Sequence, residues 1–300
     1  MRRVLVTGAS GFIGTHCLRR LTLEACDIHA VNRSGNGEAA ADIVWHAADL
    51  REPAQASSLI AKIRPTHLLH GAWIATPGLY AHSPENFTWL QSTIALAAAF
   101  GSQGGARFVG IGSSAEYDPD DRPCVEDETP IRPATSYGKC KADAWLAAQA
   151  AARQHGFSAA WGRLFLPYGP GDSPQRLVPS VLGALRGGKP VPTSHGRQQR
   201  DFIYAPDAAD LLVRLLLSEE NGVFNIGTGR ATTVRSVVEY LAARCGRPDL
   251  PQFGAIALAP GEPAVLVADM SKVRDRLSWS PATDVQSGLA EVMRSTEDSR

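Results

Sequence analysis

The chain has 300 residues, of which 44% are hydrophobic and 20% are charged, and its 30 basic and 30 acidic side chains leave no formal net charge. This composition is typical of a globular protein and argues against a nucleic-acid-binding or acidic-membrane-binding surface. The five cysteines are scattered, and no apolar run approaches about 18 residues. The sequence therefore indicates no disulfide framework, no metal site and no membrane span, as expected of a cytoplasmic protein.

The first half of the chain alternates short β-branched runs with longer helical patterns. Strands are predicted at 4–7, 28–32, 43–48, 67–70, 107–111 and 159–164. Helices are predicted at 12–23, 53–63, 83–100 and 136–154, with Ser83 as the N-cap of the third. Because strands that alternate with helices form a parallel sheet covered on both faces, the pattern predicts an α/β fold with a doubly wound Rossmann sheet.

The texture changes after Pro167, where glycine- and proline-rich turns interrupt the alternation. Helices are predicted at 177–186, 206–217, 234–245 and 271–277, and short strands at 202–204, 222–225 and 265–268. The sequence thus predicts a dinucleotide-binding domain over 1–168 and a smaller α/β substrate-binding lobe over 169–300. Some segments of the second part are expected to return to the first domain.

A glycine-rich turn joins the first strand to the first helix. Gly8 permits a tight turn, Gly11 lets the backbone approach a pyrophosphate, and Gly14 permits close contact between helix and strand. The free N–H groups and the positive dipole end of the helix favour phosphate. The motif predicts that a dinucleotide contacts Gly8, Ser10, Gly11, Phe12, Ile13 and Gly14. The alternative is a glycine-rich turn without a ligand.

The residues at the end of the second strand indicate the choice of cofactor. An acidic residue there would hold the ribose hydroxyls of NAD, but the sequence has Asn32, Arg33 and Ser34. Arg33 can pair with a 2′-phosphate and Ser34 can add a hydrogen bond, which favours NADP and leaves NAD possible. Arg33 could also be a solvated loop residue. Asp49 and Leu50 are expected to meet the adenine, unless Asp49 caps a helix.

Tyr137 and Lys141 form a Y-x-x-x-K pair in the predicted helix 136–154. Positions i and i+4 share one face of a helix, so the phenol and the ammonium can meet at one cofactor. The lysine charge lowers the pKa of the tyrosine, which can then move a proton while hydride moves at the nicotinamide. Ser113 or Ser114, just after the fifth strand, can hydrogen-bond the substrate oxygen. The alternatives are an exposed helical pair and serines that cap a turn.

With these residues together, the sequence resembles the extended short-chain dehydrogenase/reductase family, in its sugar-nucleotide epimerase/dehydratase/reductase branch. The likeness covers nearly the whole chain. It rests on six ordered motifs, at 7–14, 113–117, 137–141, 168–171, 200–207 and 225–229.

The resemblance implies roles for particular residues. Ser113, four positions before Tyr117, would be the catalytic hydroxyl beside Tyr137 and Lys141, and Ser114 a substrate-side neighbour. Arg200 matches a position expected to contact the diphosphate or nucleotide of a sugar-nucleotide substrate. An ion pair between Arg200 and Asp201 is the structural alternative.

Three departures from the family pattern carry information. Ser114 and Ala115 stand where dehydratases of the family have an Asp-Glu acid–base pair, which argues against a 4,6-dehydratase. Leu166 replaces the usual asparagine, so a polar substrate contact is missing. Trp73 adds bulk near the expected nicotinamide side, unless it is plain core packing.

These observations favour NADP-dependent reduction of a nucleoside-diphosphate-4-keto-6-deoxy sugar, with Tyr137 as proton donor. An NAD-dependent nucleotide-sugar 4-epimerase with the same triad is the alternative. A reductase of a small non-nucleotide ketone and a non-catalytic cofactor-sensing regulator are further alternatives. The Ala-rich helices predicted around 83–100 and 136–154 suggest a homodimer, since these helices often pack together between two subunits in the family.

Overall fold

The structure is a computed structural model that describes residues 1–37, 42–259 and 261–296. Its strands are β1 (Arg2–Thr7), β2 (Cys26–Asn32), β3 (Ile43–Ala47), β4 (His67–His70), β5 (Arg107–Ser113), β6 (Ser158–Leu164), β7 (Leu166–Tyr168), β8 (Val191–Thr193), β9 (Gln199–Tyr204), β10 (Gly222–Ile226), β11 (Ala231–Thr233), β12 (Pro251–Phe253) and β13 (Val265–Leu266).

The helices are α1 (Phe12–Leu21), α2 (Pro53–Ile63), α3 (Glu85–Ser102), α4 (Ser136–His155), α5 (Leu177–Arg186), α6 (Ala205–Leu217), α7 (Val234–Arg244), α8 (Ser271–Leu277) and α9 (Val285–Ser295). A single 3₁₀ turn, Ser114–Glu116, follows β5. Within the described residues, no helix is both long enough and apolar enough to span a bilayer.

The described residues form a parallel seven-stranded sheet in the order β10-β6-β5-β4-β1-β2-β3. Chain order reverses between β1 and β4, which is the topological switch point where ligands bind in doubly wound sheets. One face packs against α1, α6 and α8, and the other against α2, α3 and α4. This arrangement confirms the predicted α/β Rossmann fold.

The later part of the chain forms a smaller lobe. Here β9 pairs with β7, β11 and β13, and β8 pairs with β12. Its own core joins α5, α7 and α9 around Tyr168 and Phe202. The strand β10, although late in the chain, pairs with β6 at the edge of the large sheet. The domain division at residue 168 stays a prediction.

The structure corrects several local predictions. Pro84, rather than Ser83, is the N-cap of α3, although Ser83 Oγ accepts a hydrogen bond from the Glu85 N–H at 3.2 Å. The strand expected at 265–268 ends at Leu266. The strands β7, β8, β11 and β12 were not predicted, because strands of three residues are too short to show a period. The helix α9 was also not predicted.

Candidate active site

A cavity of about 660 Å³ opens at the carboxyl ends of the central strands, beside the switch point. It reaches from the glycine turn to the small lobe and brings together nearly every residue predicted for the site. The predicted residues in its lining are Gly8, Ser10, Gly11, Phe12, Ile13, Gly14, Asn32, Arg33, Asp49, Leu50, Ser113, Ser114, Tyr137, Lys141 and Arg200. Ser34 lies outside the lining, and its hydroxyl donates to Asn32 Oδ1 at 3.1 Å.

Each of the three glycines in the turn is required, or tolerated, for a different structural reason. Gly8 has φ +67°, and a Cβ there would lie 2.7 Å from the backbone of Gly71 and Ala72 on the adjoining segment. A Cβ on Gly14 would lie 2.1 Å from the Gly8 carbonyl oxygen, so α1 sits close to the turn only because this residue is glycine. A Cβ on Gly11 would meet that oxygen at 3.1 Å. Gly11, the N-cap of α1, is thus the glycine that packing constrains least.

The end of the cavity around Arg33 is rich in charge. Asn32 is committed to its own turn, because its Oδ1 accepts hydrogen bonds from the N–H groups of Ser34 and Gly35. The Asp49 carboxylate pairs with Arg51 at 2.6 Å, and this hydrogen bond lowers the pKa of Asp49. Glu52 is the N-cap of α2, so the alternative that Asp49 caps this helix is wrong. Arg51 lines the cavity beside Arg33 and adds a second guanidinium.

The helix α4 carries Tyr137 and Lys141 to the end of β5. Thr135 caps its first turn by accepting from the Gly138 N–H at 3.1 Å. A Cβ on Gly138 would lie 2.2 Å from the Ala115 carbonyl oxygen, so a glycine beside Tyr137 allows α4 to touch the turn that follows Ser113. Lys141 Nζ lies 5.9 Å from the Tyr137 ring centroid. The structure therefore places both side chains at one point, while Lys139 is exposed.

Burial dominates the electrostatics of this pair. It raises the pKa of Tyr137, and the Ser113 hydroxyl opposes that rise by hydrogen bonding. Burial lowers the pKa of Lys141 to about 7, and the negative charge of Glu116 opposes that fall. Lys141 Nζ donates to the Ile111 carbonyl at 2.7 Å and lies 4.1 Å from the Trp73 ring centroid, so a hydrogen bond and a cation–π contact hold the ammonium.

Aromatic side chains enclose the pair. The Tyr80 ring packs edge-on against Tyr137 with centroids 4.8 Å apart. Trp73 lines the cavity, and its indole N–H donates to Asn86 Oδ1 at 2.8 Å. The fully buried Asn86 also donates to the Tyr80 and Ser83 carbonyls. Trp73 also packs against the hydrophobic core. It therefore both lines the cavity and fills the core, the two roles predicted as alternatives from the sequence.

The small lobe contributes arginines to the opposite wall. Arg200 pairs with Glu262 at 2.7 Å, whereas Asp201 accepts hydrogen bonds from Thr228 and Gly229. The alternative of an Arg200–Asp201 ion pair is therefore wrong. Arg176 also lines the cavity and lies 3.5 Å from Asp172, whose pKa burial raises to about 6.

Sequence reasoning missed some residues of the site. Arg51, Tyr80 and Arg176 lie in segments without a recognisable motif, and only the fold brings them to the cavity. Glu116 lies inside a motif that was recognised, but its carboxylate was given no role. A charged residue three positions after the end of a buried strand, with Ala115 and Tyr117 as its neighbours, was the available signal.

The model of the family described as "NAD dependent epimerase/dehydratase family" matches residues 4–227, which include the glycine turn and the Tyr137–Lys141 pair. The chain belongs to the NAD-dependent epimerase/dehydratase family. Membership confirms the predicted resemblance and identifies the chain as an enzyme of this NAD-dependent family.

Curated relatives in the family align over nearly the whole chain. A UDP-glucose 4-epimerase of Rhizobium leguminosarum bv. trifolii is 29% identical, covering 98% of this chain and 96% of the relative. A dTDP-glucose 4,6-dehydratase of Xanthomonas campestris pv. campestris is 24% identical, covering 96% of this chain and 91% of the relative.

Solved structures of similar proteins have the same fold. MoeE5 in complex with UDP-glucuronic acid and NAD is 29% identical, with a TM-score of 0.86, and the match covers 99% of this chain and 100% of that one. A UDP-glucose 4-epimerase from Thermotoga maritima, with UDP-glucose, has a TM-score of 0.88 at 20% identity and covers 99% of both chains. At 20% identity, the match to the Thermotoga maritima protein supports the fold alone.

Proposed function

We propose that the chain is a nucleotide-sugar 4-epimerase that uses NAD held at the glycine turn. The observation that carries the proposal is the set of groups around Tyr137. Ser113 and Lys141 accompany the phenol in the cavity, whereas the dehydratase acid–base positions hold Ser114 and Ala115. A hydroxyl and a methyl group cannot abstract a proton from a sugar carbon. The epimerase relatives also support 4-epimerisation, which replaces the expectation of a reductase as the leading proposal.

The glycine turn fits the proposed cofactor. Gly8 and Gly14 close the turn by backbone contacts, and Gly11 leaves the N-terminus of α1 accessible from the cavity. The helix terminus favours a pyrophosphate there. When bound, the nicotinamide would supply a reversible hydride acceptor for the carbon that changes configuration.

The chain's own residues would move the proton. The Tyr137 phenolate would take the proton of the substrate 4-hydroxyl and later return it to the 4-oxygen. Ser113 would donate a hydrogen bond to the same oxygen and stabilise negative charge on it. The Lys141 ammonium, held by Ile111 and Trp73, would favour the phenolate, because a nearby positive charge lowers a phenol pKa.

The substrate would be a nucleoside-diphosphate sugar whose diphosphate pairs with Arg200. Arg200 is only 7% exposed, lines the cavity and forms an ion pair with Glu262. Arg176 would add a second positive charge on the same wall. The related protein MoeE5, which is 29% identical, has been solved in complex with UDP-glucuronic acid and with UDP-glucose, and this supports a uridine diphosphate as the first group to test.

The test is to purify the protein, measure bound NAD and incubate it with UDP-glucose, UDP-galactose and their uronic acids without added cofactor. The expected result is interconversion of a 4-epimer pair with no net change in nicotinamide absorbance at 340 nm. Net consumption of NADPH with a 4-keto sugar, and no interconversion of epimers, would refute the proposal in favour of a reductase.

The reductase is a second candidate because Arg33 and Arg51 both line the cavity. Two guanidinium groups can bind the 2′-phosphate of NADP. The Arg33→Ala variant separates the candidates in a thermal-shift titration. Strong protection of the wild type by NADP that is lost in Arg33→Ala would favour the reductase. Protection of the wild type by NAD and not by NADP, unchanged in the variant, would favour the epimerase.

A homodimer built from α3 and α4 is also proposed. Phe87, Ile94 and Leu146 are exposed by 58%, 47% and 59% on these two helices, and apolar groups of this kind are typical of subunit contacts. Sedimentation of the wild type and of Ile94→Glu tests it, with a dimer and a monomer as the expected results. A monomeric wild type would refute the homodimer. The cytoplasmic location stays a prediction.

A further inference from the structure

Glu116 is a carboxylate with no exposed surface that lies next to the proposed catalytic residues. It ends the 3₁₀ turn that follows β5, and its Oε1 accepts a hydrogen bond from the Ser113 backbone N–H at 2.8 Å. The same oxygen accepts from the Trp161 indole N–H at 3.0 Å. Glu116 therefore joins the Ser113 backbone to a fully buried side chain of the neighbouring strand β6.

The other carboxylate oxygen belongs to an ion pair with Arg163, also on β6. Arg163 Nε lies 2.7 Å from Glu116 Oε2, and both side chains are almost completely buried. Removing two charges from water is costly, and apolar replacements of such pairs are often as stable or more stable. The ion pair is thus weak evidence that Glu116 serves only to stabilise the fold. Its contact with the Ser113 backbone indicates a different role.

The geometry of Ser113 depends on the turn that Glu116 closes. Ser113 Oγ accepts from the Ala115 N–H at 3.2 Å, while Glu116 holds the Ser113 N–H. Together these contacts form a capping box, which fixes the backbone and uses an acceptor site of the hydroxyl. The O–H of Ser113 stays available to donate to Tyr137 or, when substrate is bound, to a substrate oxygen.

We propose that Glu116 is a positioning residue that orients Ser113 and places a fixed negative charge beside the Tyr137–Lys141 pair. The kinetic part of this inference rests on the proposed epimerase function. The negative charge of Glu116 raises the pKa of Lys141 and that of Tyr137. Tyr80 and Arg176 also act on the pKa of Tyr137, and His70 lies near enough to Lys141 for the two charges to interact.

Glu116→Gln keeps an oxygen for Ser113 but removes the charge. We expect kcat to fall about 10- to 100-fold, with KM changed less than about 3-fold, because small displacements of catalytic groups are costly. Both pKa values fall when the negative charge is lost, so the whole pH–rate profile moves to lower pH. An unmoved profile would contradict the inference.

A double-mutant cycle separates positioning from general stability. In a Ser113→Ala background, Glu116→Gln should lower kcat less than about 2-fold, because two residues acting through one group are not additive. Equal losses in both backgrounds would overturn the inference. Glu126→Gln is the matched control, since Glu126 is a buried carboxylate that accepts from the Asn225 N–H at 2.8 Å. It should leave the pH–rate profile in place.

Hydrogen exchange gives a readout without turnover. Glu116→Asp, which keeps the charge but withdraws the oxygen, should increase exchange of the peptide containing Ser113 and leave the peptide spanning Gly8 to Gly14 unchanged. Unchanged exchange at Ser113 would overturn the inference even if the wild type turned over no nucleotide sugar. Absence of wild-type turnover would refute the proposed function instead, so the two failures are distinguishable. If Glu116→Gln does not fold, the Asp variant carries the kinetic comparison as well.

Discussion

The cavity has two ends, the glycine turn and the surroundings of Tyr137, and different kinds of atoms determine the geometry of each. At the glycine turn, backbone atoms set the geometry, since Cβ atoms at Gly8 and Gly14 would collide with main-chain atoms. At the Tyr137 end, side chains from separate segments set it, including Trp73 after β4, Glu116 after β5 and Lys141 on α4. The first end depends on residues 7–14 and on the backbone of Gly71 and Ala72 that Gly8 approaches. The second depends on side chains that several separate segments bring together.

This difference predicts how each end responds to substitution. A backbone site tolerates no added atom at a close approach but carries little titratable charge. A side-chain site tolerates changes of size better, whereas its function depends on buried charges whose pKa values the surroundings set. Substitutions at the Tyr137 end should therefore change turnover and the pH dependence of stability. Substitutions at the glycine turn should change cofactor affinity, and those at the wall formed by the small lobe should change substrate affinity.

The largest expected effect is on turnover at the side-chain end. Tyr137→Phe removes the proposed acid–base group and should lower kcat by about 100- to 10,000-fold, the range that general acid–base catalysis contributes. Thermal protection by NAD should persist, because the aromatic ring stays in place. Tyr80→Phe is the control, since that ring packs on Tyr137 at 4.8 Å and the variant loses only a hydroxyl. Near-normal turnover in Tyr137→Phe would disprove the assignment.

Lys141 should make stability depend on pH. Its pKa falls from 10.5 to about 7 on burial, so between these values the unfolded chain binds a proton that the folded chain does not. Stability therefore rises with pH across this window, by at most about 5 kcal/mol at 1.36 kcal/mol per pKa unit. Lys141→Met should be more stable than the wild type below pH 7, with the difference shrinking towards pH 10.

The free energy of unfolding at pH 6 and pH 10 checks this expectation. Lys139→Met, an exposed position on the same helix, is the matched control and should show no such dependence. A difference between Lys141→Met and the wild type that is independent of pH would show that the charge of Lys141 is not the cause.

The same contrast explains what the sequence could predict. The glycine turn, the parallel sheet and the i,i+4 relation of Tyr137 and Lys141 follow from local spacing, and the structure places these residues together. The Glu262 partner of Arg200 lies 62 residues away in sequence, and Arg163 lies 47 residues after Glu116. No local pattern contains such pairs, because they depend on which strands become neighbours. Short strands such as β8 are missed because three residues are too few to show a period.

At the glycine turn, alanine substitutions of Gly14 and Gly11 should separate a loss of stability from a loss of cofactor affinity. Gly14→Ala places a methyl group 2.1 Å from the Gly8 carbonyl oxygen, and we expect a loss of about 1–3 kcal/mol of stability from this overpacking. Gly11→Ala meets the same oxygen at 3.1 Å, so the fold should lose less than about 1 kcal/mol. Its methyl group should instead hinder the pyrophosphate. Unfolding midpoints and NAD affinity separate the variants, and equal NAD affinity in Gly11→Ala and the wild type would argue against phosphate binding at this turn.

A smaller effect than the loss of turnover in Tyr137→Phe is expected on substrate affinity at the lobe wall. Arg200→Met should weaken binding of UDP alone by about 10- to 100-fold, since a hydrogen bond to a charged group contributes about 1.5–3 kcal/mol. Glu262→Gln is the matched variant, because it removes the charge that pairs with Arg200 at 2.7 Å and keeps the guanidinium. If Arg200 meets the diphosphate, this variant should bind UDP at least as tightly as the wild type, because the guanidinium no longer has to share its charge. If both variants weakened UDP binding equally in calorimetry, Arg200 would act through the local structure of the ion pair and not through the diphosphate. That result would leave the lobe wall to Arg176, which lines the same cavity beside the Tyr137 end.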